Sequence, residues 1–197
     1  LVELMRYNVA DPDAFFAATA GIDMSASPAM DRFLAHVPAD GVLLDAGCGS
    51  GRDAAHFARL GHRVEAFDAH PELVERARKA FGINVETDTF EAFDRPERYD
   101  GIWACAALLH LPPDALPGAL TRLARALRPG GVLYASFKDG AGTRTDRAGR
   151  FFHDLGPDAL RAQLDAVPGL TTLETFFTPD SANRPDTRWT NALARRR

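Results

Sequence analysis

The segment Leu43–Asp53 reads Leu-Leu-Asp-Ala-Gly-Cys-Gly-Ser-Gly-Arg-Asp, and the predicted fold is built outward from it. The apolar run at 42–44 predicts a buried parallel strand that ends at Asp45. Gly47, Gly49 and Gly51 then alternate with small residues, and a helical pattern begins near Arg52. A strand, a glycine-rich turn and a helix N-terminus together predict a nucleotide-type binding site.

The spacing of the three glycines narrows the kind of ligand. It is Gly-x-Gly-x-Gly, whereas a dinucleotide pyrophosphate site has Gly-x-Gly-x-x-Gly. Asp45 precedes the first glycine and no basic residue stands in the centre of the turn, which favours a cationic or neutral ligand over a phosphate. The alternative is a plain tight turn between a strand and a helix.

Composition excludes several other classes of protein. A chain of 197 residues with 46% hydrophobic residues is long enough for one domain with a full core. Its 27 acidic and 23 basic residues give a net charge of −4, which argues against non-specific binding of nucleic acid. No apolar stretch approaches the ~20 residues of a membrane span. Two cysteines are too few for a disulfide framework, so we expect a cytoplasmic protein without a membrane partner. Its oligomeric state is left open.

From residue 42 onward, strand patterns alternate with helix patterns, which predicts an α/β fold with a mostly parallel sheet and helices on both faces. The predicted strands are 42–44, 63–68, 83–87, 100–105, 132–137, 170–177 and 188–194. The last two follow each other directly, which predicts a hairpin and one antiparallel strand. Residues 1–40 are predicted as an N-terminal helical cap, with a helix starting at Ser27, and residues 41–197 as the core.

Two segments are expected to cover the ligand as mobile flaps. One is the N-terminal stretch through Ser25, which carries aromatic residues but no predicted core. The other is 138–150, predicted to be a loop after the fifth strand. Its arginines, Arg144, Arg147 and Arg150, are candidates to hold an anionic substrate; the alternative is a solvated loop.

Four segments resemble the small class I S-adenosylmethionine (SAM) methyltransferases of the tellurite-resistance-like group. They are Gly-Cys-Gly-Ser-Gly-Arg-Asp at 47–53, Tyr-Asp-Gly-Ile-Trp-Ala at 99–104, Leu-Arg-Pro-Gly-Gly-Val-Leu-Tyr-Ala-Ser at 127–136, and Trp-Thr-Asn at 189–191. The resemblance implies a three-layer Rossmann-like fold with a seven-stranded sheet whose last strand is antiparallel. It also implies SAM as cofactor and S-adenosylhomocysteine (SAH) as product.

Candidate cofactor residues follow the strands. Asp68 ends the second strand, where a carboxylate accepts hydrogen bonds from ribose hydroxyls of SAM or, equally, of NAD. The resemblance implies that Asp88, Thr89 and Phe90 contact adenine. The full predicted cofactor set is Tyr7, Asp45, Ala46, Gly47, Cys48, Gly49, Gly51, Arg52, Asp68, Ala69, Asp88, Thr89, Phe90, Ala104 and Cys105.

The edge after the fourth strand would line the methyl-transfer end. It lacks the Asn/Asp-Pro-Pro-aromatic motif of enzymes that methylate base or glutamine nitrogens, and it lacks the carboxylates of metal-dependent enzymes, so no metal is expected. His110 is the titratable residue there and the candidate general base; the alternative is a structural histidine. The predicted substrate-contacting residues are Phe16, Leu109, His110, Arg144 and Arg150.

The sequence therefore predicts a SAM-dependent methyltransferase acting on a small-molecule acceptor. Two alternatives stay open. One is a protein of the same fold that binds SAM and regulates a partner without catalysis. The other is an NAD-dependent dehydrogenase, which the glycine spacing disfavours.

Overall fold

Six α-helices and nine strands make up the part of the chain that this computed structural model describes, residues 9–147, 149–180 and 187–197. The helices are α1 Pro12–Thr19, α2 Pro28–Leu34, α3 Arg52–Arg59, α4 Pro71–Phe81, α5 Leu116–Ala126 and α6 Pro157–Asp165. The strands are β1 Val42–Ala46, β2 Arg63–Asp68, β3 Asn84–Thr87, β4 Tyr99–Ala104, β5 Leu127–Lys138, β6 Ala141–Thr145, β7 Phe151–Leu155, β8 Leu170–Pro179 and β9 Arg188–Arg196.

Seven strands form one sheet in the order β3-β2-β1-β4-β5-β9-β8. Strands β1 to β5 pair in parallel, and β9 lies antiparallel between β5 and β8. The predicted sheet is thereby confirmed, including its single antiparallel strand. The strand order reverses direction at β1, so the carboxyl ends of β1 and β4 flank the crevice where such sheets bind ligands.

Helices cover both faces of the sheet, which gives three layers. Leucines of α5 and α6, such as Leu120 and Leu160, pack into the core on one face. On the other face Phe33 of α2 and Phe57 of α3 pack around Trp103 of β4. Their ring centroids lie 5.3 and 5.6 Å from that of Trp103, respectively. Apolar surface on each face is removed from water, and this burial holds the layers together.

Strand β2 matches the predicted strand 63–68 to the residue. Helix α4 has Pro71 at its first position and ends at Phe81, and Gly82, with a φ of 65°, closes the helix in the left-handed conformation. Helix α5 has Ala115 at its cap position.

The prediction of a loop over 138–150 is wrong. Strands β6 and β7 form a two-stranded antiparallel hairpin outside the main sheet, with β6 wholly exposed. Its sequence, Ala-Gly-Thr-Arg-Thr, has no apolar alternation, so β6 owes its strand conformation to pairing with β7. Strand β7 carries the buried residues Phe152, His153 and Leu155 that anchor the hairpin.

The N-terminal segment contains α1, a helix that the sequence patterns did not predict. Asp11 caps it by accepting a hydrogen bond from the Ala14 amide at 2.9 Å, and none of its residues is buried. It docks on α4 through Phe16 against Phe81, with ring centroids 6.3 Å apart, and through an ion pair between Asp13 and Arg76. Helix α2, unlike α1, has buried residues that belong to the core.

No helix within the described ranges combines the length and apolar character needed to cross a bilayer.

Candidate functional site

A cavity opens beyond the carboxyl ends of β1, β2, β3 and β4, where the sequence placed the ligand. Its walls come from the turns that follow these strands, from the N-terminal segment and from the hairpin. The lining residues are Val9, Phe15, Gly47, Gly49, Phe67, Asp68, Ala69, Leu73, Asp88, Thr89, Phe90, Ala106, Ala107, His110 and Arg150. We call Gly47, Gly49, Asp68, Asp88 and Phe90 the turn end of the cavity. We call Ala106, Ala107, His110 and Arg150 the hairpin end.

The glycine turn needs glycine for two physical reasons. Gly47, Gly49 and Gly51 have φ of 74°, 55° and 77°, in the left-handed region that side chains disfavour. A Cβ on Gly47 would also lie 2.6 Å from Ala107 Cβ and 3.4 Å from the Phe90 ring. The bare backbone therefore leaves open a cradle that any side chain at Gly47 would fill.

Asp68 lies at the end of β2 and is held by backbone donors. Its Oδ2 accepts from the Gly49 amide at 2.8 Å and its Oδ1 from the His70 amide at 2.9 Å. Loss of hydration raises the pKa of this carboxyl, and the two amide bonds oppose that rise. Each oxygen accepts one bond from the protein, which leaves lone pairs for two hydroxyls of a ligand.

The adenine-contacting residues predicted after β3 lie in the same cavity. Phe90 is buried and packs edge-on against Phe67, with centroids 5.2 Å apart. The Thr89 amide donates to Asp88 Oδ1 at 2.8 Å, so in this structure it is engaged by the neighbouring side chain. Asp88 Oδ2 lies 3.5 Å from an Arg95 Nη2 atom.

Several predicted cofactor residues lie outside the cavity lining. These are Asp45, Ala46, Cys48, Gly51, Arg52, Ala104 and Cys105. Asp45 is buried and accepts from the Ala54 amide at 3.0 Å, and burial together with Asp53 raises its pKa well above the usual range. Both cysteines are free, and burial raises the pKa of their thiols, that of Cys105 to about 12, so neither supplies a thiolate at neutral pH.

A buried polar network supports the glycine turn from behind. Asp53 accepts from Trp103 Nε1 at 2.8 Å and from Arg52 Nε at 2.6 Å. The Trp103 indole stacks on Tyr134, with centroids 3.8 Å apart, and the Tyr134 hydroxyl donates to Asn191 Oδ1 at 2.7 Å. Helix α3 is thereby tied through β4 and β5 to β9. The sequence patterns did not single out Asp53, although it stands at the end of the segment from which the fold was predicted.

His110 lies at the hairpin end and is oriented by β7. Its Nδ1 is 2.8 Å from the Phe151 carbonyl oxygen, and because a carbonyl only accepts, Nδ1 must carry the proton. Nε2 is then the acceptor of the neutral ring. Burial, followed by the charges of Arg150 and Lys138, lowers the pKa of His110, which keeps the ring neutral near pH 7.

Of the three arginines predicted as candidates to hold an anionic substrate, Arg150 lines the cavity, and Arg144 and Arg147 do not. Arg150 pairs with Asp146, its Nε and Nη2 lying 2.9 and 2.8 Å from Oδ2. Arg144 pairs with Asp154 at 2.7 Å, and its guanidinium lies 4.4 Å from the Phe152 ring, outside the cavity lining.

The aromatic and apolar residues that were predicted to contact the substrate do not line the cavity. Phe16 faces α4, and its neighbour Phe15 reaches the cavity instead, because the helical rotation between successive residues turns only one of them toward the glycine turn. Leu109 is buried in the core and does not line the cavity. Tyr7 lies outside the described residues.

Ala106 and Ala107 were not singled out by the sequence patterns, yet both line the cavity. Their small size directly after β4 was the available signal. Ala106 has φ of 52°, unusual for a non-glycine residue, and its amide donates to Ser136 Oγ at 2.8 Å.

The described residues fit SAM. The cradle at Gly47 gives room beside the backbone, Asp68 presents acceptors for ribose hydroxyls, and Phe90 gives an apolar wall for a ring. A mostly parallel sheet with this turn after β1 and this carboxylate after β2 defines a Rossmann-like nucleotide-type site.

Comparison with known proteins specifies the class. Residues 43–131 match the family described as "Methyltransferase domain". A ubiquinone biosynthesis O-methyltransferase of Xanthomonas campestris pv. campestris is 34% identical over 115 residues, which cover 54% of this chain and 47% of that protein. The corresponding protein of Methylocella silvestris is 35% identical over 113 residues, 54% of this chain and 43% of that protein. The chain spans about half the length of the curated relatives it matches, 47% in the first case.

The crystal structure of a Burkholderia thailandensis 1,6-didemethyltoxoflavin-N1-methyltransferase, with bound 1,6-didemethyltoxoflavin and SAH, is similar over nearly the whole chain. It is 27% identical, covers 99% of this chain and 88% of that chain, and has a TM-score of 0.79. Residues 43–131 therefore carry a methyltransferase domain, and the fold is that of SAM-dependent methyltransferases. The tellurite-resistance-like subgroup stays a prediction.

Proposed function

We propose that this protein transfers the methyl group of SAM to a small-molecule acceptor. The observation that carries the proposal is the single cavity in which Asp68 and the glycine turn lie at one end and His110 lies at the other. The relatives support it by their names, since one is named a ubiquinone biosynthesis O-methyltransferase and one a 1,6-didemethyltoxoflavin-N1-methyltransferase.

In this proposal the turn end holds the cofactor. Asp68 accepts from the ribose hydroxyls, Asp88 and Phe90 hold and cover the adenine, and the glycine turn passes beside the methionine part. Asp45 acts from behind the turn, where it fixes the start of α3 by accepting from the Ala54 amide. The predicted division into a cap over 1–40 and a core over 41–197 is kept as part of the proposal.

SAM supplies an electrophilic methyl group on a sulfonium. The chain's own task is to bind both partners, align them in line and exclude water. The apolar lining contributed by Phe15, Phe67, Leu73 and Phe90 serves the exclusion of water. A cytoplasmic location also belongs to the proposal, consistent with two free thiols.

Calorimetric titration with SAM, SAH and NAD in parallel tests the choice of cofactor. SAM and SAH should bind and raise the melting temperature, as a ligand of the native state must. Binding of NAD without binding of SAM would overturn the proposal and favour a dehydrogenase.

A second measurement separates an enzyme from a SAM-binding regulatory protein of the same fold. Radiolabelled SAM is incubated with the protein and fractionated pools of small molecules. We expect label in a small-molecule fraction. Binding of SAM with label in none of the fractions would support the regulatory alternative.

A further inference from the structure

At the hairpin end a base, His110, and a cation, Arg150, line one cavity. The β6–β7 hairpin and the turn between its strands hold both side chains in position. The Phe151 carbonyl fixes the His110 ring by accepting from Nδ1. Arg150 precedes Phe151 in the chain and is held by Asp146 through both its side chain and its backbone amide. Neither residue is needed to hold the cofactor at the turn end, so their joint placement points to the second reactant.

Given the proposed methyl transfer, we propose that the hairpin end is the acceptor subsite and that the acceptor is a small planar acid. Its reactive group is an N–H or O–H on a ring. The proton of that group passes to His110 Nε2, and Arg150 stabilises the anion that forms.

Arg150 lines the cavity and presents a cation to a ligand there, and further charged groups lie near His110. The Phe152 ring lies 4.9 Å from the His110 ring. Three cations lie near the same phenyl ring: Lys138 Nζ at 4.2 Å, Arg144 Cζ at 4.4 Å and Arg150 Cζ at 5.5 Å. Two carboxylates accompany them, Asp154 paired with Arg144 and Asp146 paired with Arg150. Arg150 donates through Nε and Nη2 to one oxygen of Asp146, which leaves further guanidinium N–H groups for a ligand.

The walls beside these two residues suit a flat ring. Ala106 and Ala107 offer thin apolar surface on the β4 side. An anionic acceptor gains more from the Arg150 guanidinium than a neutral one does.

A bond forms between the acceptor nitrogen or oxygen and the methyl carbon while the carbon–sulfur bond breaks, and sulfur keeps that electron pair as the thioether of SAH. The acceptor proton moves to Nε2 of neutral His110 and then to water. His110 must be neutral to accept it, and the groups that set its charge state are Arg150, Lys138 and Asp146.

The test uses coloured acids on the complex of the protein with SAH. The probes are 4-nitrophenol and 4-nitroimidazole, each compared with its methylated derivative, 4-nitroanisole and 1-methyl-4-nitroimidazole. The acids should bind roughly tenfold or more tightly than the methylated compounds, as expected for a charge-assisted hydrogen bond. Bound 4-nitrophenol should show the absorption band of its anion at a pH where the free compound is neutral.

Three variants complete the test. Arg150→Gln should weaken binding of the acids roughly tenfold, whereas Arg59→Gln, which removes an exposed arginine on α3, should not. His110→Asn keeps an amide donor for the Phe151 carbonyl but lacks Nε2, and it should remove the anion band below the pKa of the free probe. Equal binding of acids and methylated compounds, binding of neither, or an anion band that persists in His110→Asn would overturn the inference. SAH binding is measured first on each sample, so a failure there counts against the proposed function instead.

Discussion

The turn end and the hairpin end of the cavity are built in different ways. At the turn end, the groups that line the cavity lie at or directly after the carboxyl ends of parallel strands, and Asp68 is fixed there by the backbone amides of Gly49 and His70. At the hairpin end, His110 and Arg150 are side chains oriented by a small hairpin whose outer strand is wholly exposed. The turn end is therefore formed by the main sheet itself, whereas the hairpin end depends on a small hairpin outside that sheet.

This difference indicates how the two ends are expected to respond to change. A position fixed by the core has few ways to relax, so a substitution at the turn end should act strongly on both stability and binding. An element with little buried surface opens at low cost, so the hairpin end should show its effects in dynamics and in selectivity. Four predictions test that contrast.

The largest effect is expected for Gly47→Ala. The substitution places a side chain in the left-handed region, which costs about 1–2 kcal/mol, and adds a clash with Ala107. SAH affinity should fall by more than about a hundredfold, since the added group occupies the cradle. Calorimetry and thermal unfolding measure the two effects.

Gly61→Ala is the matched control, because Gly61 also has a positive φ, 97°, but nothing lies within 4 Å of an added Cβ. It should lose a similar amount of stability through strain and keep its SAH affinity. Equal loss of affinity in both variants would mean that the cradle plays no part in binding.

Asp68→Ala should have the next largest effect. Hydrogen bonds from ribose hydroxyls to a carboxylate are each worth ~1.5–3 kcal/mol, so SAH affinity should fall roughly ten- to a hundredfold or more. Asp88→Ala removes one contact of the adenine and should cost less than about tenfold. A folded Asp68→Ala protein with unchanged affinity, or a larger loss in Asp88→Ala, would contradict the assignment of the turn end.

Much of the turn end could be predicted because it depends on sequence patterns of residues that are close together in the chain. A buried strand, a glycine turn and a helix cap are local patterns, and topology brings residues such as Asp68 and Asp88 to one edge. At the hairpin end His110 and Arg150 were predicted as site residues, but the hairpin itself could not be predicted, since β6 has no apolar alternation and becomes a strand only by pairing with β7. The choice of Phe15 over Phe16 depends on how α1 docks, which no spacing in the sequence determines.

Hydrogen exchange compares the two ends directly. Amides of α1 and β6 should exchange faster than those of β1, because α1 has no buried residue and β6 is exposed. Addition of SAH should slow exchange in α1 and in the hairpin roughly tenfold, as expected if both segments close over the ligand. Strong and equal protection with and without SAH would show that both segments are fixed structure.

The smallest effect concerns pH and His110. Its pKa is lowered in the folded state, so as the pH falls below the ordinary value of 6.5 the unfolded chain takes up a proton that the folded chain does not. The contribution of His110 to stability is therefore complete above pH 6.5 and decreases toward acid. Urea unfolding of wild type and His110→Asn at several pH values isolates this contribution. A stability difference that does not change with pH would contradict the burial of His110.

The position of β9 has a consequence for biosynthesis. This strand is made after β5 and β8 but lies between them, and Asn191 bonds to Tyr134 on one side and to the Phe176 carbonyl and Thr178 on the other. A nascent polypeptide that has emerged only as far as β8 therefore exposes two strand edges, each able to pair with another chain. The sheet is completed only when β9 has emerged, and we expect the interval between the emergence of β8 and of β9 to be a period of exposure to aggregation.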